Sequence, residues 1–346
     1  MPKRTYRPPG RCTSTGRIWA VLCLAPVVLL PLVHALAFQV SAQQDPAQQV
    51  PPQDADREQR PGEFKISTDV LLVVLDVSVK DSKGGYVSGL TKEDFRVYEN
   101  GIAQKLTVFS SADEPVTVGL VIDESGSMRS KHDQVVTAGL SFIGASNPND
   151  QMFVVNFNDT VRSGLPDNIP FSDDLAVLHA ALSRNKPDGQ TALYDAVAFA
   201  LQHLELGQRD KKMLVVVSDG GDNRSKLTLP GVMKLIQESH ATIYAIGIYD
   251  RDDTDHNPEV LKRMANAGGG EWFLPQLLDQ IGPICRKIAK DIRNRYTIGY
   301  IPDRNGNQAA IRKIKVDTSA QGHEKLIVRT RTSYSLPDAL TQGQAR

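Results

Sequence analysis

Residues 116–128, VTVGLVIDESGSM, decide how this chain is read. A short apolar, β-branched run closed by turn residues reads as a buried parallel strand. It ends in oxygen donors: Asp123, Ser125 and Ser127. Open α/β sheets carry ligand sites at the carboxyl ends of their strands. One carboxylate and two hydroxyls there are hard donors, suited to Mg²⁺. The same triplet also reads as a plain strand-to-helix turn with a serine capping the helix.

Downstream of this run, strand and helix patterns alternate. A helix is expected over about 130–145, with Val135, Val136, Leu140 and Ile143 on one stripe. A strand at Gln151–Asn158 follows, then a helix at Leu175–Leu182 capped by Ser172. Residues 188–195, DGQTALYD, form a loop entering a helix that runs to about Leu206. Met213–Ser218 is a strand ending in Asp219-Gly220-Gly221-Asp222. A helix near 230–239, a strand at Thr242–Ile248, a helix opened by Asn257-Pro258 and an amphipathic helix at Leu277–Ile292 complete the series. Such alternation implies an α/β fold with a doubly wound, mostly parallel sheet.

Segments of strand character flank it. Val70–Val79, Tyr86-Val87, Arg96–Tyr98 and Gln104–Ser110 precede it, with Asn100-Gly101 as a hairpin turn. Tyr296–Ile301, Arg312–Val316 and Leu326–Tyr334 follow it, with Asn305-Gly306 and Gln321-Gly322 as turns. Each set is too small to bury a core alone. Together they are expected to form a second, smaller β-sandwich-like domain, into which the α/β domain is inserted.

The site residues lie at three strand ends or helix entries: Asp123, Ser125 and Ser127 after the first strand, Thr191 before a helix, and Asp219 after the strand at 213–218. In this order they resemble the metal-ion-dependent adhesion site of von Willebrand factor A domains. The surrounding GQTALYDA and VVSDGGDN resemble that family closely, over about residues 115–292. The whole chain is also similar to the VWFA-related proteins described chiefly from Acidobacteria. That likeness rests on Gly89-Leu90, Asp94-Phe95, Glu99-Asn100-Gly101 and Gln104 before the domain, and on Arg295-Tyr296 and Gly299-Tyr300 after it.

The resemblance implies that Asp123, Ser125, Ser127, Thr191 and Asp219 hold one divalent cation. Mg²⁺ is expected, with Mn²⁺ or Ca²⁺ as other occupants. It also implies that an acidic residue of a protein partner completes the coordination. Glu124 and Asp222 are read as solvated or as supporting the ligands. The function expected is an exported, non-enzymatic binding module, with a periplasmic assembly or scaffold component as the alternative. A metal-dependent hydrolase is disfavoured: no general base stands out beside ligands already committed to the metal.

Composition sets the outer bounds. The 346 residues are 40% hydrophobic and hold 40 basic and 40 acidic residues. Lys3, Arg4, Arg7, Arg11 and Arg17 are the only charges in residues 1–42, so the remainder is net acidic. No basic stripe with interleaved aromatics suggests nucleic acid. Residues 1–42 read as a signal peptide: a basic start, the apolar run Ile18–Val33, and Val40-Ser41-Ala42 as a cleavage site. Uncleaved, the segment would be a membrane anchor. Leu22 before Cys23 does not suit a lipoprotein site. Residues 43–64 read as a disordered linker, 65–114 and 293–336 as the two parts of the β domain, and 337–346 as a tail. Of Cys12, Cys23 and Cys285 only the last survives cleavage, so no internal disulfide is expected. The acidic run Asp250–Asp255 reads as a solvated loop, and His179, His203 and His240 as core or surface residues.

Overall fold

The computed structural model describes residues 72–249, 256–302, 311–320, 322 and 325–335. The signal, linker, tail, acidic loop and Asn305-Gly306 turn of the sequence reading lie outside these residues. In chain order the strands and helices are β1 (Val73–Asp81), β2 (Phe95–Glu99), β3 (Ile102–Gln104), β4 (Leu106–Ser110), β5 (Thr117–Asp123), α1 (His132–Ala145), β6 (Gln151–Phe157), β7 (Val161–Ser163), α2 (Leu175–Leu182), α3 (Leu193–Leu204), β8 (Lys212–Ser218), α4 (Leu229–Glu238), β9 (Thr242–Gly247), α5 (Pro258–Gly268), β10 (Trp272–Phe273), α6 (Ile281–Arg293), β11 (Arg295–Tyr300), β12 (Ile311–Thr318), β13 (Leu326–Arg329) and β14 (Ser333–Ser335).

The central sheet has the order β10-β9-β8-β5-β6-β7. β5 runs parallel to both β6 and β8, and all seven of its residues are buried. Burial on both sides explains why its sequence is a continuous apolar run rather than an alternating one. The chain leaves β5 toward β6 and returns to build β8 on the opposite side. The strand order therefore reverses between β5 and β8, and the crevice at that switch point is where open α/β sheets bind ligands. β7 pairs antiparallel with β6 at one edge, a short strand the sequence pattern does not announce.

Two details of the helices differ from expectation. Leu140 is only half-buried against the core, and Ala138 and Phe142 join Val135, Val136 and Ile143 on the buried α1 face. The cap of α2 is Asp174, whose carboxylate accepts the backbone N–H groups of Ala176 and Val177. Ser172 lies just upstream, and its hydroxyl accepts the N–H of Asp174. Cys285 is a buried core residue of α6, and burial pushes its thiol up to about 12.

The flanking strands pair with one another. β1 runs antiparallel to β11, with Val73 opposite Tyr300 and Ser78 opposite Arg295. The two sheets β13-β1-β11-β4 and β14-β12-β2-β3 enclose one core that includes Leu75, Val77, Phe95, Val97, Ile298 and Ile314. The hairpin turn is as expected, with positive φ at Asn100 and Gly101. Two runs expected as single strands are each broken. The run ending at Ser110 splits at Lys105 into β3 and β4, and the run Leu326–Tyr334 splits between Arg329 and Ser333. In both cases the halves join different sheets, so these are the corners of the sandwich. Buried Glu99 ties the sheets together, accepting from Tyr300 (2.7 Å), Tyr334 (2.8 Å) and Arg312 (2.7 Å).

A second buried polar group joins the β module to the central domain. Asp291, in the last turn of α6, accepts from Ser78 (2.8 Å) and Tyr244 (2.6 Å) and pairs with Lys80 (2.9 Å) and Arg295 (3.3 Å). Arg295 also donates to the carbonyls of Asp76 and Gly269. Burial alone would raise the Asp291 carboxyl, but Arg295 and Lys80 outweigh it and hold it at about 2. No helix among the described residues is long and apolar enough to cross a membrane.

Candidate metal centre

The ends of β5 and β8 deliver two buried carboxylates side by side. Asp123 closes β5, accepting the Ser125 N–H at 2.9 Å and the Ser218 hydroxyl at 2.6 Å. Asp219 follows β8 and accepts the Gly221 N–H at 2.9 Å. Past Asp219 the chain turns through Gly220 at φ 81°. A Cβ there would stand 2.3 Å from the Asn257 carbonyl oxygen, so only glycine fits.

Ser125 and Ser127 link these strand ends. Their hydroxyl oxygens are 3.1 Å apart, and Ser127 donates to Asp219 at 2.5 Å. A single 3₁₀ turn over Gly126–Met128 swings Ser127 toward β8. Thr191 comes from the loop between α2 and α3. That loop meets the first through Gly126 N–H to Gly189 O, 3.0 Å, and meets the third through Thr191 N–H to Asn223 Oδ1, 2.9 Å. Thr191 is buried, and its carbonyl accepts from the N–H groups of Asn223 and Arg224. Side-chain bonds thus join Ser125, Ser127 and Asp219. Asp123 is held to Ser125 through the Ser125 backbone, and Thr191 is held between the first and third loops by its own backbone.

Burial pushes the Asp123 carboxyl up to about 7, and nearby Asp219 pushes the same way against the hydrogen bonds from Ser125 and Ser218. No Lys or Arg forms an ion pair with either carboxylate among the described residues. A divalent cation would relieve both the burial and the repulsion, so the donor set fits one. Among the described residues no group of three or more His, Cys, Asp or Glu stands where it could hold a metal. The candidate set differs from such clusters in using only two carboxylates with hydroxyls.

Both neighbouring acids are hydrogen-bonded into the fold. Glu124 is 2% exposed, and its carboxylate accepts from the side-chain amides of Asn156 (2.6 Å) and Asn185 (2.8 Å). Of the two roles expected for Glu124, solvated or supporting the ligands, its burial excludes the first. Half-buried Asp222 accepts from the Tyr194 N–H and the Ser225 hydroxyl, and burial raises its carboxyl. It therefore supports the start of α3. Sequence reasoning misses Ser218, whose one signal is a hydroxyl among β-branched residues, a step before Asp219. His203 is a packing residue, its ring 4.4 Å from that of Phe153.

Residues 117–287 match the family model of the von Willebrand factor type A domain. This stretch has the von Willebrand factor type A fold. Solved structures similar to the chain include a von Willebrand factor type A protein from Catenulispora acidiphila, at 16% identity and TM-score 0.47, covering 78% of this chain and 75% of that one. An aerotolerance-related membrane protein from Bacteroides fragilis matches at 16% identity and TM-score 0.43, covering 51% of this chain and 98% of its own. Proximal thread matrix protein 1 from the mussel byssus, solved with a zinc-occupied MIDAS motif, matches at 17% identity and TM-score 0.45, covering 56% and 49%. At these identities the likeness concerns the fold alone. No curated protein matches the chain.

Proposed function

We propose that the A domain is a non-enzymatic binding module that captures a protein partner through a divalent cation. Asp123, Ser125, Ser127, Thr191 and Asp219 would hold the ion. Mg²⁺ is the first choice, because all five are oxygen donors and no Cys or His among them favours a softer metal. Bound there, the ion would offer an electrophilic position to an acidic side chain of the partner. Two carboxylates balance the ion's charge without exceeding it, so it stays electrophilic toward a further acidic group. The observation that carries this reading is the hydrogen-bonded chain Ser125–Ser127–Asp219 beside buried Asp123, at the point where the sheet's strand order reverses.

Export through residues 1–42, and kinship with the VWFA-related proteins, belong to this proposal. So does the domain plan, with the A domain at 115–292 set into a β domain built from 65–114 and 293–336. A periplasmic assembly role for the same site is the alternative within this class.

The test is calorimetric titration of Mg²⁺, Mn²⁺ and Ca²⁺ into chelator-treated wild type and the Asp123→Ala and Asp219→Ala variants. Wild type should bind one ion and both variants should lose it. Absence of binding at about millimolar cation, the weak end of hard-cation protein sites, would overturn the reading.

A further inference from the structure

Glu124 stands between two expected ligands, yet its side chain takes no part in the ligand set. It is buried, and among the described residues it forms no ion pair. A buried carboxylate without a cation is costly, so its retention calls for a cause. Its hydrogen bonds supply one. The backbone N–H donates to Phe157 O at 2.8 Å, and the carbonyl accepts from Asp188 N–H at 2.8 Å. The carboxylate holds Asn156 of β6 with one oxygen and Asn185 of the Thr191 loop with the other. One residue thus joins the end of β5, the end of β6 and the loop that carries Thr191.

That loop, residues 183–192, has no regular secondary structure of its own. Its position comes from its anchors. Glu124 holds Asn185 and Asp188, Gly126 holds Gly189, and Arg129 donates to the Pro187 carbonyl and the Asp188 carboxylate. The Arg129–Asp188 pair is largely exposed and therefore weak. Thr191 and Ala192 are themselves held to Asn223 and Asn158; over residues 183–190 the least exposed anchor is the one at Glu124.

We propose that Glu124 is a positioning residue: it sets the place of Thr191 in the metal site by fixing the 183–192 loop to β5 and β6. This rests on the metal-site reading above. The chemistry explains why the residue is Glu rather than its isostere Gln. Two amide N–H donors converge on it, and only a carboxylate presents two acceptor oxygens. With Gln, one oxygen could still accept from Asn156, but the Gln amide would meet the Asn185 amide donor against donor until Asn185 turned its amide over.

The two acceptors define the experiment. Glu124→Leu keeps about the volume and removes both acceptors, whereas Glu124→Gln opposes the Asn185 amide only as it now stands. Adding Asn185→Asp to Glu124→Gln makes the bond with its direction reversed, since the introduced glutamine amide would then donate to the introduced aspartate. Mg²⁺ affinity is read by calorimetry, and exchange of the amides at 188–192 is read in chelator by hydrogen–deuterium mass spectrometry. Glu124→Leu should weaken Mg²⁺ binding about tenfold and speed exchange in the loop, as losses of outer supports of metal ligands do. The double variant should keep affinity within about threefold of wild type, at the small end of such effects, and should keep protection. Unchanged affinity and protection in Glu124→Leu, or failure of the Glu124→Gln, Asn185→Asp double variant to reach near-wild-type values, would overturn the proposal. If wild type binds no cation, the metal-site reading fails by itself, and loop exchange in chelator still decides whether Glu124 anchors the loop.

Discussion

Mg²⁺ binding should weaken about thirtyfold between pH 8 and pH 5.5, with Asp123 as the cause. In the metal-free protein its carboxyl is pushed up to about 7, first by burial and then by Asp219. A ligand carboxylate must lose its proton before it binds a metal. One competing proton with a midpoint of about 7 lowers the apparent affinity by about a tenth at pH 8 and by about thirtyfold at pH 5.5. The difference is about 2 kcal/mol. Titrating Mg²⁺ at several pH values, in two buffers of unlike ionisation heat, counts the protons released. The count should be close to one per ion at pH 5.5 and about 0.1 at pH 8. Stability in chelator carries the opposite sign from the usual carboxylate. The folded protein holds the Asp123 proton more tightly than the unfolded chain does, so this group's contribution falls as pH rises from about 4 to about 7. An affinity flat across the range, with no proton release, would refute both the assigned ligand and its environment.

Ser127→Ala removes the hydroxyl between Ser125 and Asp219 and should lower Mg²⁺ affinity at least tenfold. Its melting midpoint in chelator should fall by the equivalent of only about 1 kcal/mol, checked by calorimetry. Asp291→Asn leaves Arg295 buried without its carboxylate, while Lys80 keeps Glu271 at 2.8 Å, and should destabilise by about 3–5 kcal/mol in urea unfolding. A loss under about 1 kcal/mol would mean the charges find water. Because Asp291 is held at about 2, its contribution should be present above about pH 4 and disappear as the pH falls toward 2, seen as an acid unfolding limb absent from the variant. A fragment of residues 115–292 should fold but melt below the chain carrying 72–335, since it lacks Ser78, Lys80 and Arg295; equal melting points would show that the junction adds nothing.

Much of the central domain was legible because its signals are local. The run ending in Asp123 and the β-branched run ending in Asp219 each announce a buried strand and its open end. The break of the strands at Lys105 and between Arg329 and Ser333 was not legible, since alternation continues smoothly around a sandwich corner. Neither was the role of Glu124. A charged residue beside turn serines looks like surface, and only the fold brings Asn156 and Asn185 to its two oxygens. The Asp291 group is hidden for a different reason. Ser78 and Asp291 lie 213 residues apart, and nothing in either neighbourhood names the other.

The pairing of β1 with β11 also sets an order of events. Of the described strands β1 is made first, and beyond its bonds to Tyr86 and Val87 it has no strand to pair with until the whole A domain and then β11 have been made. Until then Leu75, Val77 and Val79 lie on an uncovered strand, a feature that invites proteolysis or aggregation. Closing the β module is therefore a completion signal. A chain cut short, or one whose A domain fails to bring Arg295 back beside Ser78, stays marked by its own first strand.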